Sequence, residues 1–404
     1  MKIVYPYPTY WPYIRRGAER CIHDMTNYLA SRGHEVDIIT SKPGRERVAY
    51  DGRVRVLYLR QFSHPLTYRY GPLTRLYAFG LGALKQVVQG EYDVAHLWSY
   101  SSLVAAPFLK QQRDLPYLYH LIVRNHYWPG RVDRWLFQQL MRNADKVAAL
   151  TPEGAREATS LYGLPVDVLP PPVDMTRFRP CAPKDLSHPE VLFTGDLGDP
   201  RKGGPLLLRA WDEIHRRCPE ARLVLAGPFG LVGFDFEFAV YTLERMDVVR
   251  SASARAAIDI RGPGSLEQLP FTYARAAVTV LPSVEEAFGM VVTESLASGT
   301  PVVCSGDSGP AEIITDPSVG ITVPIKSYFD LMSERTASQL ADAVIEGIEL
   351  ARQPGTSERC RAWAEPWGLD TVGAKLEEML ETMASTNGGG ARGHGEIERV
   401  GAHG

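Results

Sequence analysis

Apolar and polar positions alternate along the first half of the chain in a way that predicts strands separated by helices. The run "MKIVYP" predicts a strand, "EVDIIT" predicts a β-branched strand, and between them Cys21, Met25, Tyr28 and Leu29 recur at helical spacing. Further strands are predicted at "VRVLYL", "YDVAHLW", "PYLYHLIV" and "DKVAALT", with helix-like segments between them. This alternation predicts a parallel sheet covered by helices.

A proline-rich stretch interrupts the pattern near residue 170, and a second series then begins. The stretch "VLPPPVDMTRFRPCAPKDLSHPE" has little periodicity and predicts an interdomain linker, after which strands recur from "EVLFTGD" to "TPVVCS". We therefore predict an N-terminal domain over 1–170, a C-terminal domain over 171–367 and a disordered tail over 385–404, because that tail is almost free of apolar residues. Two open α/β domains in tandem predict a ligand cleft between them.

Composition excludes several classes of protein. The 404 residues are 45% hydrophobic and 23% charged, with a formal net charge of −3, so the bulk charge gives no attraction to nucleic acid. Five scattered cysteines indicate neither a disulfide framework nor a zinc site. The N-terminus does not resemble a signal peptide, and no run of 18 apolar residues occurs. These features predict a cytoplasmic protein.

In the stretch "SVEEAFGMVVTESLASGT", Glu286 and Glu294 lie on either side of Gly289 with seven residues between them. Gly289 lies just before a helix predicted to begin near Met290, where free backbone N–H groups and the positive end of the helix dipole suit a phosphate. Glu294 is then one turn into the helix and suited to accept hydrogen bonds from a ribose diol, and Glu286 suited to face a sugar hydroxyl. The alternative is that both are solvent-exposed glutamates favoured by the dipole alone.

A second glycine-rich turn, in "FTGDLGDPRKGGPLLLRAW", holds Arg201 and Lys202 between a strand and a helix. Two cations at such a turn are suited to neutralise a diphosphate leaving group. A polar surface turn is the alternative.

Aromatic residues crowd the loop "PTYWPYIRRGAER" after the first strand. Tyr10, Trp11 and Tyr13 predict stacking on an acceptor sugar or contact with a membrane surface, and a lid packed on its own domain is the alternative. The amphipathic segment 72–90 adds a possible peripheral membrane contact at the inner face, against core packing as the alternative. His120, at the end of a predicted strand, is positioned to reach the cleft, unless it is a core histidine.

Taken in order, these motifs resemble a retaining GT-B glycosyltransferase of family four, the glycosyl transferases group 1. The resemblance rests on "GAERCIHDMTNYLASRGHEVDIIT", "VLPPPVDMTRFRP", "LFTGDLGDPRKGGPLLLRAWDEI" and "SVEEAFGMVVTESLASGTPVVCSGDSGPAEII". It implies two Rossmann-like domains facing a cleft, with the nucleotide-sugar donor on the C-terminal domain and the acceptor on the N-terminal one. It also implies a final helix, 368–384, that returns to the N-terminal domain.

The resemblance assigns roles to individual residues. Glu286 approaches the donor sugar, Glu294 holds the ribose and Lys202 contacts the phosphates. The remaining donor-site residues are the backbone of Gly289, Met290 and Val291 around the diphosphate, Gly17 of the N-terminal glycine motif, and His120 near the donor sugar.

Two positions depart from the family's pattern. Asp196 stands where the family usually has an arginine, so Arg201 is a candidate substitute on the diphosphate. Arg16 replaces the first glycine of the N-terminal motif and either supplies a cation to the diphosphate or narrows the acceptor entrance.

The expected activity is sugar transfer from a UDP- or GDP-sugar, with retention and without a metal or other cofactor, to a glycan, a lipid-linked or a small-molecule acceptor. Alternatives are a GT-B sugar phosphorylase, a nucleotide-sugar epimerase, and a catalytically silent GT-B protein that binds glycans or partners.

Overall fold

The computed structural model describes residues 1–12, 14, 16–42, 47–60, 72–122, 131–197, 199–227, 248–261 and 267–388. Within them, the predicted alternation of strands and helices forms two separate sheets, of eight and six strands. The first sheet ends at Val168 and the second begins at Glu190, on either side of the predicted boundary at residue 170.

The first sheet has the strand order β3-β4-β2-β1-β5-β6-β7-β8 and is parallel except for the antiparallel pair β3–β4. Its strands are β1 Lys2–Pro6, β2 Glu35–Lys42, β3 Arg47–Asp51, β4 Val54–Arg60, β5 Val94–Leu97, β6 Tyr117–Leu121, β7 Lys146–Ala149 and β8 Asp167–Val168. The helices between them are α1 Gly17–Ser31, α2 Pro72–Gln89, α3 Tyr100–Arg113, α4 Arg131–Met141 and α5 Pro152–Tyr162.

Helix α1 forms where the periodicity predicts it and buries the predicted face. Cys21, Met25 and Leu29 are at most 1% exposed and pack on the sheet, while Tyr28 lies partly buried at the rim of the same cluster. Burying such apolar side chains contributes roughly 1.5–3 kcal/mol each, which holds the helix on the sheet although no side chain of the described residues caps its N-terminus.

The second sheet is parallel throughout, in the order β11-β10-β9-β12-β13-β14. Its strands are β9 Glu190–Thr194, β10 Arg222–Ala226, β11 Ile258–Arg261, β12 Val278–Leu281, β13 Val302–Ser305 and β14 Gly320–Val323. Its helices are α6 Gly204–Arg217, α7 Ala252–Ala256, α8 Leu269–Arg275, α9 Met290–Ala297, α10 Gly309–Ile313, α11 Glu334–Arg352 and α12 Thr356–Ala364. Buried clusters cover both faces of this sheet. All five cysteines are unpaired.

The final helix, α13 Leu369–Gly388, returns to the first sheet. Its Leu376 and Leu380 are fully buried in the cluster that contains α1 and β1. Just before it, Leu369 N–H donates to the Val173 carbonyl at 2.9 Å, so the linker and the returning chain run side by side. The predicted tail is wrong at its start, because 385–388 continue the helix; residues 389–404 lie outside the described range.

In each sheet, the strand that comes first in the chain has later strands on both of its sides, so the order of the strands reverses direction there. In the first sheet β1 lies between β2 and β5, and in the second β9 lies between β10 and β12. Loops that leave the carboxyl ends of the two strands at such a point splay apart and leave a crevice, where open α/β sheets bind their ligands. The two predicted donor loops follow β9 and β12, one from each side of this point.

His23, on the buried side of α1, lies between two carboxylates. Its Nδ1 is 2.9 Å from Asp24 Oδ1 and its Nε2 is 3.3 Å from Asp51 Oδ2. Burial lowers the pKa of His23, but hydrogen bonds and charge attraction to the two carboxylates outweigh it and raise the pKa from 6.5 to about 9. The imidazolium is therefore held more tightly in the folded protein than in the unfolded chain.

This raised pKa predicts a loss of stability at alkaline pH. The contribution of His23 is complete below pH 6.5 and disappears as the pH rises through about 9. It amounts to at most about 3 kcal/mol, at 1.36 kcal/mol per pKa unit. The difference in free energy of unfolding between wild type and His23→Gln, from urea titrations at about pH 6 and about pH 9.5, should shrink accordingly. A difference that does not change with pH would contradict the assignment.

Candidate functional site

The loops after β9 and β12 are tied together directly. Val284 N–H donates to the Arg201 carbonyl at 2.8 Å, and Gly203 has a φ of +73° with its Cα against the Pro282 backbone. A Cβ at residue 203 would lie 2.0 Å from the Pro282 oxygen, so only glycine permits this approach. The approach places the side chains of the two loops within reach of one another.

Lys202 and Glu286, both predicted to contact the donor, form an ion pair between the loops. Lys202 Nζ donates to Glu286 Oε2 at 2.6 Å, and the side chains are 30% and 19% exposed. The pair is thus accessible from the crevice rather than sealed in the core. An incoming anion can displace the carboxylate from the lysine, while the carboxylate is freed to accept a hydroxyl.

The chain from Glu286 to Gly289 forms a tight bend that ends at the start of α9. Gly309 N–H donates to the Glu286 carbonyl at 2.9 Å, and Gly289 has a φ of +96°. Helix α9 begins at Met290, and no side chain of the described residues caps it. Its first N–H groups, including those of Met290 and Val291, therefore remain available for an anion, as the sequence predicts.

Glu294 differs from the predicted ribose acceptor in one respect: its carboxylate is already engaged. Tyr273 Oη donates to Oε2 at 2.9 Å, and Arg20 Nη2, from α1 of the other half, donates to Oε1. The Glu294 side chain is 3% exposed. It is a buried link between the two halves and not a solvated helix-start glutamate, so that alternative is wrong.

The N-terminus of α1 lies against the N-terminus of α9. A Cβ on Gly17 would lie 3.2 Å from Met290 Sδ, and Arg16, the residue before α1, is exposed. Gly17 and Arg16 are therefore at the mouth of the same crevice as Lys202 and Glu286, on its opposite side. Their contact with a donor stays a prediction.

Arg201, the candidate substitute at Asp196, is held by a neighbour. Its Nη2 and Nε lie 2.6 and 3.0 Å from the two oxygens of Asp199, and its side chain is 43% exposed. A diphosphate would have to compete with this carboxylate for Arg201. Lys202 is the cation that points toward the loop before α9, where it pairs with Glu286. It can therefore supply a positive charge to a diphosphate at that loop without Arg201.

His120 does not reach the surface of the crevice in this conformation, contrary to expectation. The side chain is buried and Nε2–H donates to the Leu169 carbonyl at 2.9 Å. The ring stacks on His96 at 5.4 Å between ring centres and lies 4.3 Å from the Trp98 ring at a tilt of 60°. Burial lowers the pKa of His120 to about 4, although its hydrogen bond to Leu169 opposes this, so the ring is neutral. Its proposed nearness to the donor sugar stays a prediction.

Sequence reasoning missed His96 and Trp98, which share the face of the sheet that carries His120. Burial and the neighbouring His120 hold the pKa of His96 well below its ordinary value. The two residues stand at alternate positions in "YDVAHLW", a spacing that puts them on one face of a strand. That alternation, with the histidine in the neighbouring strand, was the available signal.

The aromatic loop is only partly where a stacking surface would need it. Tyr10 is 1% exposed and its Oη donates to Asp51 at 2.8 Å, so the prediction that it stacks on an acceptor is wrong. Trp11 is half-buried against the same cluster, with its ring 6.3 Å from His23, as in a lid packed on its own domain. Tyr13 lies outside the described residues.

In the described part of the chain, one group of side chains could hold a metal ion, and it lies away from the crevice. Potential ligand atoms of His34, Glu377 and Glu381 are within 4.8 Å of one another. His34 directly precedes β2, so the group is at the amino edge of the first sheet, opposite the crevice.

No helix of the described residues is long and apolar enough to cross a membrane. Cytoplasmic location and peripheral membrane contact stay predictions.

Two family models match the chain in tandem. The model described as Glycosyltransferase Family 4 matches residues 15–177, and the model described as Glycosyl transferases group 1 matches residues 188–348. Together they span both sheets except β1, and they include every residue of the crevice described above.

Curated relatives and solved structures agree with these models. The chain is 30% identical to a D-inositol 3-phosphate glycosyltransferase of Nocardia farcinica over 54% of this chain and 58% of that protein, so it spans less than two thirds of that relative. It is 28% identical to the Mycobacterium tuberculosis protein of the same name, over 92% of this chain and 80% of that protein. Sucrose-phosphate synthase of Thermosynechococcus elongatus superposes with a TM-score of 0.78 at 20% sequence identity, over 95% of this chain and 99% of that chain. Anabaena HepE in complex with UDP-glucose superposes with a TM-score of 0.69 at 18% sequence identity, over 95% of this chain and 100% of that chain. The fold is therefore GT-B, as predicted.

Proposed function

Because this chain belongs to the family 4 glycosyltransferases of group 1, we propose that it transfers a sugar from a nucleotide-diphosphate sugar to an acceptor hydroxyl with retention of anomeric configuration. The proposal includes independence from a metal ion or other cofactor. One observation carries it above the others: the Lys202–Glu286 pair lies beside the uncapped N-terminus of α9, at the point where the second sheet reverses.

That arrangement suits a diphosphate flanked by a sugar. The N–H groups at the start of α9 supply hydrogen-bond donors and a partial positive charge, and the Lys202 ammonium supplies a full one. Once the phosphates take Lys202, Glu286 is left as an acceptor for a hydroxyl of the donor sugar. The lysine and the helix dipole thus provide the charge neutralisation that a divalent cation supplies in other transferases.

We propose that the reaction takes place on one face of the sugar. The bond between the anomeric carbon and the phosphate oxygen breaks, the acceptor oxygen bonds to that carbon from the same side, and the acceptor proton passes to the departing phosphate oxygen. The protein supplies position and charge, and the neutral, buried His120 is unsuited to take that proton in this conformation.

The acceptor is a glycan, a lipid-linked or a small-molecule hydroxyl. Residues 43–46, 61–71 and 123–130, which come after β2, β4 and β6 in the chain, lie outside the described residues. The names of the curated relatives make inositol phosphates the first acceptors to test, and UDP-glucose in the HepE structure makes UDP-sugars the first donors.

The deciding experiment is a calorimetric screen of UDP- and GDP-sugars followed by transfer assays with the donor that binds. We expect nucleotide release that requires an acceptor, continues in excess chelator, and yields a product whose anomeric NMR signal has the donor's configuration. Phosphate-dependent release of a sugar phosphate would instead identify a phosphorylase, and isomerisation of the donor an epimerase. Binding without turnover with any acceptor would favour the silent protein.

Glu294 gives the sharpest test of the donor site. Glu294→Gln should weaken nucleotide binding at least about tenfold, because hydrogen bonds from a ribose diol to a carboxylate are worth roughly 1.5–3 kcal/mol each. Glu377→Gln is the matched control: it also removes a carboxylate paired with an arginine, together with His34, but at the opposite edge of the first sheet. Because Glu294→Gln also removes the partner of Arg20, both substitutions are measured in the Arg20→Ala background as well, and equal affinities there would refute the ribose assignment.

A further inference from the structure

The ribose acceptor proposed above is occupied by a side chain from the other half of the molecule. Arg20, on α1, donates from Nη2 to Glu294 Oε1, while Tyr273 of the same half as Glu294 donates to Oε2. Side-chain exposure is 12% for Arg20 and 3% for Glu294, so the guanidinium covers the carboxylate on the side of the crevice. The two residues are 274 positions apart in the chain.

A ribose and Arg20 make the same demand on this carboxylate. A carboxylate only accepts hydrogen bonds, and the two hydroxyls of a ribose must donate to it from the crevice, where the guanidinium now lies. Tyr273 approaches the other oxygen from within the second half and leaves that side closed. A nucleotide therefore cannot engage Glu294 until Arg20 has moved.

The surroundings of Arg20 favour the occupied arrangement. Its guanidinium carbon lies 5.9 Å from the centre of the Phe178 ring, in the linker, and burial lowers the pKa of Arg20, although an arginine keeps its charge at neutral pH. A buried cation needs a partner, and Glu294 provides one. Next to it, Gly17 and Met290 bring the ends of α1 and α9 together.

We propose that Arg20 is a positioning residue that latches α1 to Glu294 in the donor-free enzyme and competes with the donor ribose for that carboxylate. The inference rests on the proposed function, in which Glu294 binds the ribose. It gives donor binding a conformational cost: only the fraction of molecules with Arg20 displaced is competent, and the apparent affinity is reduced by that fraction.

The test is nucleotide affinity in Arg20 variants, measured by calorimetry with UDP and GDP. If about nine molecules in ten are latched, Arg20→Ala should bind the cognate nucleotide about tenfold more tightly than wild type, and Arg20→Lys should lie between them. The KM for the donor should fall in the same order, whereas a rise in kcat is not required. Arg32→Ala is the control, since Arg32 follows the same helix and pairs with Glu377 of α13; its affinity should equal that of wild type.

The outcomes separate this inference from the one beneath it. A folded Arg20→Ala that binds nucleotide equally or more weakly than wild type overturns the latch, and Arg20→Lys and Arg20→Gln answer the question if the alanine variant does not fold. If Arg20→Ala, which cannot form the latch, binds nucleotide no more tightly than the same variant carrying Glu294→Gln, the ribose assignment fails and the latch with it. If no variant and not even the wild type binds a nucleotide, the proposed function itself has failed.

Discussion

Replacing Lys202 by methionine is expected to lower the turnover number of sugar transfer by about 10²–10³-fold, the largest effect on activity that the site predicts. Methionine keeps most of the length of the side chain but removes the charge with which Lys202 reaches from the β9 loop to Glu286. The bond that breaks in the reaction leaves a diphosphate with increased negative charge. A cation that binds this charge more strongly in the transition state than in the donor lowers the barrier directly.

The Lys202→Met variant should also bind the donor more weakly, because Glu286 then lies beside the diphosphate without a cation. The effect on kcat and the effect on KM are measured separately by initial rates over a range of donor concentrations. Lys110→Met is a suitable control: Lys110 has a similar exposure of 29% and pairs with Asp145 at 2.5 Å, but it lies on α3 of the other half. We expect the control to stay within about twofold of wild type. A Lys202→Met enzyme that keeps a third of wild-type turnover would contradict the role given to this lysine.

Replacing Gly203 by alanine is expected to destabilise the protein by about 3–5 kcal/mol, the largest effect on stability. The new Cβ would lie 2.0 Å from the Pro282 oxygen and 2.8 Å from the Pro282 carbonyl carbon, and the φ of +73° is itself unfavourable for alanine. Because the obstacle is backbone, it can be relieved only by moving one donor loop away from the other. The same movement would separate Lys202 from Glu286, so donor binding should weaken in parallel.

Gly163→Ala is the matched control for the Gly203 variant. Gly163 has a similar φ of +64°, but a Cβ there would meet nothing within 4 Å, so this variant carries the backbone strain without the collision. It should cost about 1 kcal/mol. Denaturant titrations of both variants measure the difference, and equal losses would show that the contact with Pro282 is not the cause.

Local patterns predicted the parts of the fold that depend on neighbours in the chain. The β-branched runs and the helical recurrence of Cys21, Met25 and Leu29 predicted strands and helices that the structure contains, because the direction of a side chain repeats with a fixed period in each element. The turn at Gly289 and the start of α9 were predictable for the same reason. The family resemblance added the return of the last helix, which no local pattern implies.

Residues whose position depends on distant elements were predicted less well. Tyr10, in the loop after β1, and His120, near the end of β6, hold positions that often face a ligand, yet both are buried. Tyr10 packs in the cluster that contains α1, and His120 packs against rings on and just after the neighbouring strand β5. The aromatic content of a loop does not tell whether its rings face solvent or the adjoining core. Nor does a position at the end of a strand tell whether neighbouring elements bury the side chain.

The sequence by itself determined two α/β series, the loop chemistry of Lys202 and Glu286, and a helix start suited to phosphate, because each is encoded within a few consecutive residues. Only the tertiary structure decided that the β9 and β12 loops are neighbours, and that Glu294 is held by Arg20 from 274 residues away. Such pairings follow from strand order and from the packing of two halves on one another. They arise from the sum of many burial contacts across the whole chain, which no single stretch of sequence contains.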